Sequence, residues 1–518
     1  VFIGAIATNS PASSGKAKYL SAVLSGQVDN CMWDFGDGVT VTGVFETAHA
    51  FSETGAYTVS ISAWNLEGIV TDSVCVRVVG TDVYVEQNGD DSHDGTAWTN
   101  AKATIQAAID EAWEGATRVL VSNGVYNTGG RAASGTLTNR ALIDKAMTLQ
   151  SINGPEVTFI VGQASIGGSN DDGAVRCVYM STGTYLSGFT LMDGHTRRTY
   201  TTDCYGKPGS EHCWVSDDSQ ASGGGVRTES SGLSISNCIF IGNSAYLNGG
   251  GVGNATLVSC TFISNSAETG SGGGAYNCVV SNCEFIGNQA PSGGGIHGGT
   301  AKDCVFEGNA ATQNGGGAND SAIVNCSFRG NSAGSGGGTC ASFVTNSIYA
   351  GNHAIGAGGG AGGSTSYSYR KGDLVDCILV SNSSSYGGGV CDVSAERCII
   401  RGNSADSGGG AYAAHLSACL LYDNSADTGG GVGNYTSLIG CTVTRNTALT
   451  EGGVGYYCDA VNSIIINNMA SEYPNYQSEH DWTFTCSHPL TAGEGCFTND
   501  PCFVDYDGND FHLASNSP

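Results

Sequence analysis

The sequence predicts an all-β chain: a small antiparallel sandwich followed by a long solenoid of stacked parallel strands. Three observations carry this. Gly-Gly-Gly recurs at nearly constant intervals, and most copies follow a phrase of the form Cys-x-[Phe/Ile/Val]-x-x-Asn-x-Ala, such as Cys238 to Ala245. The asparagines of that phrase, Asn243, Asn265, Asn288, Asn309, Asn331, Asn352, Asn382, Asn403, Asn424 and Asn446, are separated by 22, 23, 21, 22, 21, 30, 21, 21 and 22 residues. A fixed period in the twenties is the mark of a coil built from one supersecondary unit per turn, and the gap of 30 marks an insertion. Residues 1–80 have a different grammar, period-2 alternation broken by Gly and Asn turns.

Within residues 1–80, Tyr57 to Ala63 and Ser73 to Val78 read as half-buried strands. Trp33-Asp34-Phe35-Gly36-Asp37-Gly38, His49-Ala50-Phe51, Gly55 to Val59 and Asn65 follow in order. Together they resemble the PKD domain, an immunoglobulin-like module of secreted and cell-surface proteins. The resemblance implies spacing, adhesion or polymer contact and not catalysis. Cys31 and Cys75 fall in this sandwich and are candidates for a bridge between its sheets or for unpaired thiols.

Residues 81–126 form the entry to the second domain. Val83 to Val85 is a strand, Asn88 to Gly95 a turn, and Thr104 to Trp113 a helix with Ile105, Ala108, Ile109 and Ala112 on one face. This run resembles the N-terminal cap of right-handed parallel β-helix proteins, in which a short helix covers the open end of the coil. A cap is physically required, because a bare first rung exposes apolar core and unpaired backbone groups. Residues 127–222 read as irregular rungs with a loop insertion, 223–470 as regular rungs of about 22 residues, and 471–518 as C-terminal rungs and loop. The regular array resembles the repeats of chlamydial polymorphic outer-membrane proteins and related bacterial β-helix proteins, with Gly-Gly-Gly where that family has Gly-Gly-Ala-Ile. The expected domains are thus a PKD-like sandwich at 1–80 and a parallel β-helix at 81–518.

In a parallel coil, equivalent positions stack about 4.8 Å apart, so each residue type must tolerate touching itself. Cys238, Cys260, Cys283, Cys304, Cys326, Cys377, Cys398, Cys419 and Cys441 share one position, replaced by Ser347 and Ser463 in two rungs. A metal or redox array would need ligands converging from different directions, so free buried thiols are expected. Phe240, Phe262, Phe285, Phe306 and Phe328 lie two residues on and read as a core stack. The asparagines fit turns of left-handed geometry, and the glycines fit corners too tight for a side chain.

Acidic residues number 47 and basic residues 20, giving a net charge of -27 with no basic run. Nucleic acid is excluded as a partner on that ground. No apolar stretch reaches the roughly 20 residues of a membrane helix. The chain opens at Val1 without a leader and closes in mid-phrase at Ser517-Pro518, so the expectation is either a removed signal peptide or a segment that starts after it, and an anchoring or sorting tail beyond residue 518.

Chemistry in a solenoid gathers on insertions. Asp193 to Ser222 carries His195, Arg197, Arg198 and Trp214, with Cys204 and Cys213 spaced for a local disulfide. Ala361 to Asp373 carries Tyr369 and Arg370, and Tyr473 to Cys502 carries Tyr473 and Trp482. These aromatic and basic residues are the candidate contacts. Asp90, Asp91 and Asp94 resemble a set of hard oxygen ligands for structural Ca²⁺, the one cofactor considered. Polysaccharide lyases on this fold combine Ca²⁺-binding carboxylates with a basic residue, faintly echoed by Arg197 or Arg198 near Asp193. Paired carboxylates do not recur on one face of neighbouring rungs in the sequence pattern, which favours a scaffold over an enzyme. The expectation is an extracellular structural or adhesive surface or matrix protein that self-assembles head to tail into a filament and contacts surface glycans. The alternative is a lyase, glycosidase or glycan-binding module.

Overall fold

The computed structural model describes residues 2–7, 12–112, 116–198, 201–205, 212–363, 372–476, 481–489 and 493–518. Two compact units emerge: Val1–Arg131 with Arg140–Phe159 and Ser181–Phe189, and Ala132–Asn139 with Ile160–Met180 and Thr190–Pro518. Among the described residues no helix is long and apolar enough to cross a membrane.

The first unit opens with the sandwich. A three-stranded sheet (Phe2–Ala7, Ala17–Ser25, Glu46–Ala50) faces a five-stranded one (Ala12–Ser13, Gly68–Val79, Gly55–Asn65, Asn30–Asp34, Thr40–Thr42). Leu20, Trp33, Phe35, Phe51, Val59, Ile61 and Val76 fill the space between. The Trp-Asp-Phe-Gly phrase makes the corner: Trp33 Nε1 donates to Val44 O at 3.0 Å, and Gly36, at φ +76°, has no room for a Cβ, which would lie 2.7 Å from Thr58 O. Asp37 pairs with His49 at 2.6 Å, and the His49 ring stacks on Phe35. Cys31 and Cys75 do not bridge. Both lie on strands of the five-stranded sheet, Cys31 buried and donating to Val44 O at 3.2 Å, Cys75 exposed, and both are free thiols.

The same unit carries the cap. Helix α1 (Ile105–Glu111) buries Ile105, Ala108 and Ile109, as the periodicity predicts, and Thr104 caps it by accepting from Ala107 N–H at 3.2 Å. It ends at Glu111, two residues earlier than the sequence suggests, because Lys145 Nζ takes up the carbonyls of Ile109, Asp110 and Ala112. The buried Gln106 answers the open edge directly: its Oε1 accepts from Leu142 N–H at 2.7 Å. Asp82–Val85, Arg118–Val121, Thr148–Ser151 and Tyr185–Ser187 then pair in parallel, which stacks Val83, Val119, Leu149 and Leu186 in the core.

The second unit holds the regular coil. One rung shows the rule: Ala318–Asn319, Ala322–Val324, Ser327–Arg329 and Ser332–Ser335 are strands. Single left-handed residues, Asp320, Asn325 and Gly330, turn the chain between them, and Gly315 and Gly336 open the glycine triplets at either end. Each glycine of a triplet has its own reason. The first takes positive φ; a Cβ on Gly316 would lie 2.4 Å from Gly337 O of the next rung, and one on Gly317 would lie 2.6 Å from the Phe328 ring.

The ladders fill the interior. Phe240, Phe262, Phe285, Phe306 and Phe328 stack with centroids 4.5–5.0 Å apart and are fully buried; Tyr349 continues the column and satisfies its hydroxyl on Thr339 at 3.0 Å. The asparagines are not the turn residues. Each sits one place after the left-handed residue and points inward, fully buried. Asn331 Nδ2 donates to Phe306 O and to Asn352 Oδ1 (both 2.9 Å), while its Oδ1 accepts from the backbone N–H and Nδ2 of Asn309 (both 2.9 Å). The amide ladder is therefore polar core, viable only because each rung completes its neighbour.

The cysteine ladder is also a hydrogen-bonding position. Cys283 Sγ accepts from Cys260 N–H at 3.4 Å and donates to Ser281 O at 3.2 Å; Ser347 and Ser463 make the same contacts with a hydroxyl, which is why serine replaces cysteine there. A second such column, Cys278, Ser321, Ser342 and Cys458, runs along the preceding corner. Burial pushes the Cys278 thiol up to about 12, far from the low pKa of a reactive or metal-binding thiol.

Candidate functional site

The arginines singled out in the sequence hold the irregular rungs of the second unit together. Arg197 pairs with Asp172 and donates to Thr136, and its backbone N–H reaches Gln220 O at 2.8 Å. Arg198 donates to Asn170 O (3.0 Å) and Glu268 (2.9 Å) and lies over the Tyr246 ring at 5.5 Å. His195 Nδ1 sits 3.0 Å from Asp193 O. Each of the three side chains has its own set of protein partners. Beneath them lies Arg176, fully buried, with its guanidinium on Gly223 O, Asn139 and the carbonyls of Ser219 and Ser222. Burial lowers its pKa to about 9.

Of the other candidates, Tyr369, Arg370 and the side chain of Trp214 lie outside the described residues. The backbone of the Asp193 to Ser222 insertion sets Cys204 opposite Cys213 in an antiparallel pair; their side chains also lie outside the description. Tyr473 is exposed. Trp482 is not a surface contact: it is 2% exposed, its Nε1 donates to Cys458 O at 2.8 Å, and it closes a late rung.

The aspartates of the Asn88 to Gly95 turn do not converge on an ion. Asp90 caps Ser92 N–H at 2.8 Å, Asp91 accepts from the N–H groups of Ala103 and Thr104 ahead of α1, and Asp94 takes Thr96 and Arg77. Among the described residues no group of three or more His, Cys, Asp or Glu could hold a metal. Protein donors do here what Ca²⁺ was expected to do.

A different face has the makings of a site. In the C-terminal half of the coil, Asp373–Val375, Ser394–Glu396, His415–Ser417, Ser437–Ile439 and Asp459–Val461 pair in register. Alternation sends Leu374, Ala395, Leu416, Leu438 and Ala460 inward and lines up Asp373, Ser394, His415, Ser437 and Asp459 outside, beside Val375, Glu396, Ser417 and Ile439. A cleft of about 380 Å³ lies over these strands, lined by Asp373, Ser394, Glu396, His415, Ser437 and Ile439. Asp373 and Glu396 thus reach one face from adjacent rungs, a pairing not foreseen in the sequence. Glu396 is tied to Arg397, which also grips Asp376 through two bonds of 2.8 and 3.0 Å. Asp373 has no ion-pair partner among the described residues. A carboxylate with no ion pair among the described residues, beside one that shares Arg397 with Asp376, suits hydrogen bonding better than paired acid/base work.

Tyrosines flank this face. Tyr435 and Tyr457 occupy left-handed corners (φ 62° and 53°) two residues before Ser437 and Asp459, and their rings stack at 5.6 Å, 4° from parallel. Tyr456 lies 6.2 Å from Tyr457; one rung back, Tyr412 meets Tyr386 at 5.1 Å. Tyr412 packs against Gly433, where a Cβ would come within 2.6 Å of the ring. Burial, then the neighbouring Cys391 thiol and the Tyr386 and Tyr435 hydroxyls, raise the Tyr412 pKa. Tyr435 is 61% exposed, Tyr457 55% and Tyr386 48%. Tyr435 and Tyr457, 22 residues apart, share one corner of successive rungs, a signal the sequence offered, while Tyr412 stands one place before the equivalent corner residue Ala413.

Residues 8–79 match the PKD domain family. No curated protein matches the chain. Solved structures similar to it include pectate lyase Pel9A (12% identity, TM-score 0.29, covering 84% of this chain and 90% of that one) and the siphovirus 9NA tailspike receptor binding domain (12%, 0.25, 76% and 74%). Pectin methylesterase PemA from Erwinia chrysanthemi is a third (9%, 0.20, 80% and 92%). Likenesses this distant carry no argument about substrate or mechanism.

Proposed function

We propose that this chain is an extracellular surface or matrix protein that binds glycans on the outward face of its β-helix. The observation that supports this reading is the row of exposed tyrosines beside a polar cleft on the same rungs. An exposed aromatic ring offers a flat apolar surface to the C–H face of a sugar, and adjacent carboxylate, hydroxyl and imidazole groups take its hydroxyls. The core ladders of the coil are complete without these solvent-exposed tyrosines. The PKD domain supports the same reading as a module of exported proteins that adds spacing or further polymer contact.

Binding without turnover is the mode the face favours, because its two carboxylates stand in unlike environments and Glu396 is held by Arg397. A panel of neutral and acidic polysaccharides, scored both for retention of the protein and for new reducing ends or unsaturated products, tests this. Retention without product is the expected result. Product formation lost in Asp373→Asn would replace the binding reading with an enzymatic one, and absence of retention on every polymer would end it.

A further inference from the structure

At the corner just before the Cys–Phe strands, one left-handed residue per rung points outward. In four successive rungs it is Asp303, Asn325, Asn346 and Asp376, with φ between 48° and 56°. Their side chains form an exposed row with a direction. Asn325 Nδ2 donates to Asp303 Oδ1 at 3.1 Å, and Asn346 Nδ2 donates to Asn325 Oδ1 at 2.7 Å. Each amide therefore gives its N–H to the lower-numbered rung and offers its oxygen to the higher one.

At the next rung the rule fails. Asp376 has no side-chain N–H to give, and both its oxygens accept from Arg397. Asn346 Oδ1 consequently receives no hydrogen bond among the described residues, and the group one rung above it is a second acceptor. A cavity of about 500 Å³ opens over this break, lined by Asp303, Asn325, Asn346 and Asp376 on one side and by Val305, Ile348 and Ile378 on the other. Ile348 is 46% exposed.

We propose that this corner is a second carbohydrate subsite, taking a neutral sugar whose hydroxyls donate to Asn346 Oδ1 and Asp376 while its C–H face rests on Ile348 and Ile378. The polarity of the row selects the ligand. Two adjacent acceptors call for a donor, an anionic sugar would meet Asp303 and Asp376, and an ammonium would place its charge against an isoleucine floor. A hydroxyl donates without carrying charge. The inference does not depend on the tyrosine face, which lies along a different corner of the rung.

The test uses the full chain carrying Tyr435→Ala and Tyr457→Ala, titrated calorimetrically with neutral hexasaccharides of glucose and of xylose and with a glucosamine oligomer. The expected result is binding of a neutral hexasaccharide that survives the tyrosine changes and falls at least about tenfold on adding Asp376→Asn. That substitution supplies the missing N–H and gives up one of the two exposed bonds to Arg397, so the unfolding midpoint should change little even as binding is lost. Ile348→Asn, which removes the apolar floor and leaves the row intact, should weaken binding as well. Undiminished binding by the Asp376→Asn chain, a preference for the glucosamine oligomer, or disappearance of all binding with the two tyrosines would overturn the inference. The first two leave the tyrosine reading untouched, and the last supports it.

Discussion

Replacing Asn331 by alanine removes a side chain that makes four buried hydrogen bonds, two given and two received. A buried hydrogen bond contributes about 1 kcal/mol net, and a partner left unsatisfied costs about 1–3 kcal/mol. Asn309 loses the acceptor for both its backbone N–H and its Nδ2, Phe306 O loses a donor, and Asn352 Oδ1 loses its Nδ2 donor but keeps the Asn331 backbone N–H. The expected loss is therefore about 4 kcal/mol or more, large against the stability of a typical domain. Because a solenoid's rungs are coupled mainly to their neighbours, the damage should be local. Hydrogen exchange is the suitable assay, read at the Asn309 amide and its flanking rungs, with urea unfolding alongside. Asn325→Gly serves as control, since it removes two solvent-exposed amide contacts and keeps a left-handed corner; it should cost under about 1 kcal/mol. A loss below about 1 kcal/mol for Asn331→Ala, with the Asn309 amide still protected, would refute the polar-core reasoning.

Gly317→Ala, whose Cβ would meet the Phe328 ring and Gly338 O, should destabilise by about 3 kcal/mol, whereas Gly330→Ala, in open space at φ +59°, should lose only about 1 kcal/mol; equal losses in thermal unfolding would contradict the packing. Cys75, the one exposed thiol among the described cysteines, should be alkylated within minutes in the native state. Cys278 and the other ladder thiols should react only on unfolding, and early labelling of Cys278 by peptide mass would sink that account. Burial works to raise the Asp94 carboxyl, but hydrogen bonds from Thr96 and Arg77 prevail and hold it at about 2. Against an unfolded value near 3.9, its contribution is complete above about pH 4 and is lost as pH falls through about 2. Asp94→Asn should flatten the acid limb of the first unit's unfolding curve between those values, and an unchanged limb would contradict the assignment.

Most of the fold was legible because stacking forces residues to repeat. Glycine, cysteine, phenylalanine and asparagine each occupy a position whose neighbour above is the same position, so geometry becomes periodicity. The roles were less legible than the positions. An asparagine in a turn and an asparagine one place later look alike in sequence, and only φ separates them. The thiol column looked purely apolar until Ser347 and Ser463 showed that a hydrogen bond is made there. Trp482 misled because an aromatic among polar residues reads as exposed, while its Nε1 had found Cys458 O inside. The aspartate turn resembled an ion site because carboxylates capping N–H groups and carboxylates binding Ca²⁺ share a composition. The tyrosine face was hidden for the opposite reason: outward columns are free to vary, so two tyrosines in register drew less notice than nine cysteines.

Affinity for the best-retained polysaccharide of the panel, compared between the native chain and one carrying Tyr435→Ala with Tyr457→Ala, tests the glycan-binding claim most directly. The account predicts at least about a tenfold loss with an unchanged circular-dichroism spectrum and unfolding midpoint. Equal affinity in the two chains would contradict it.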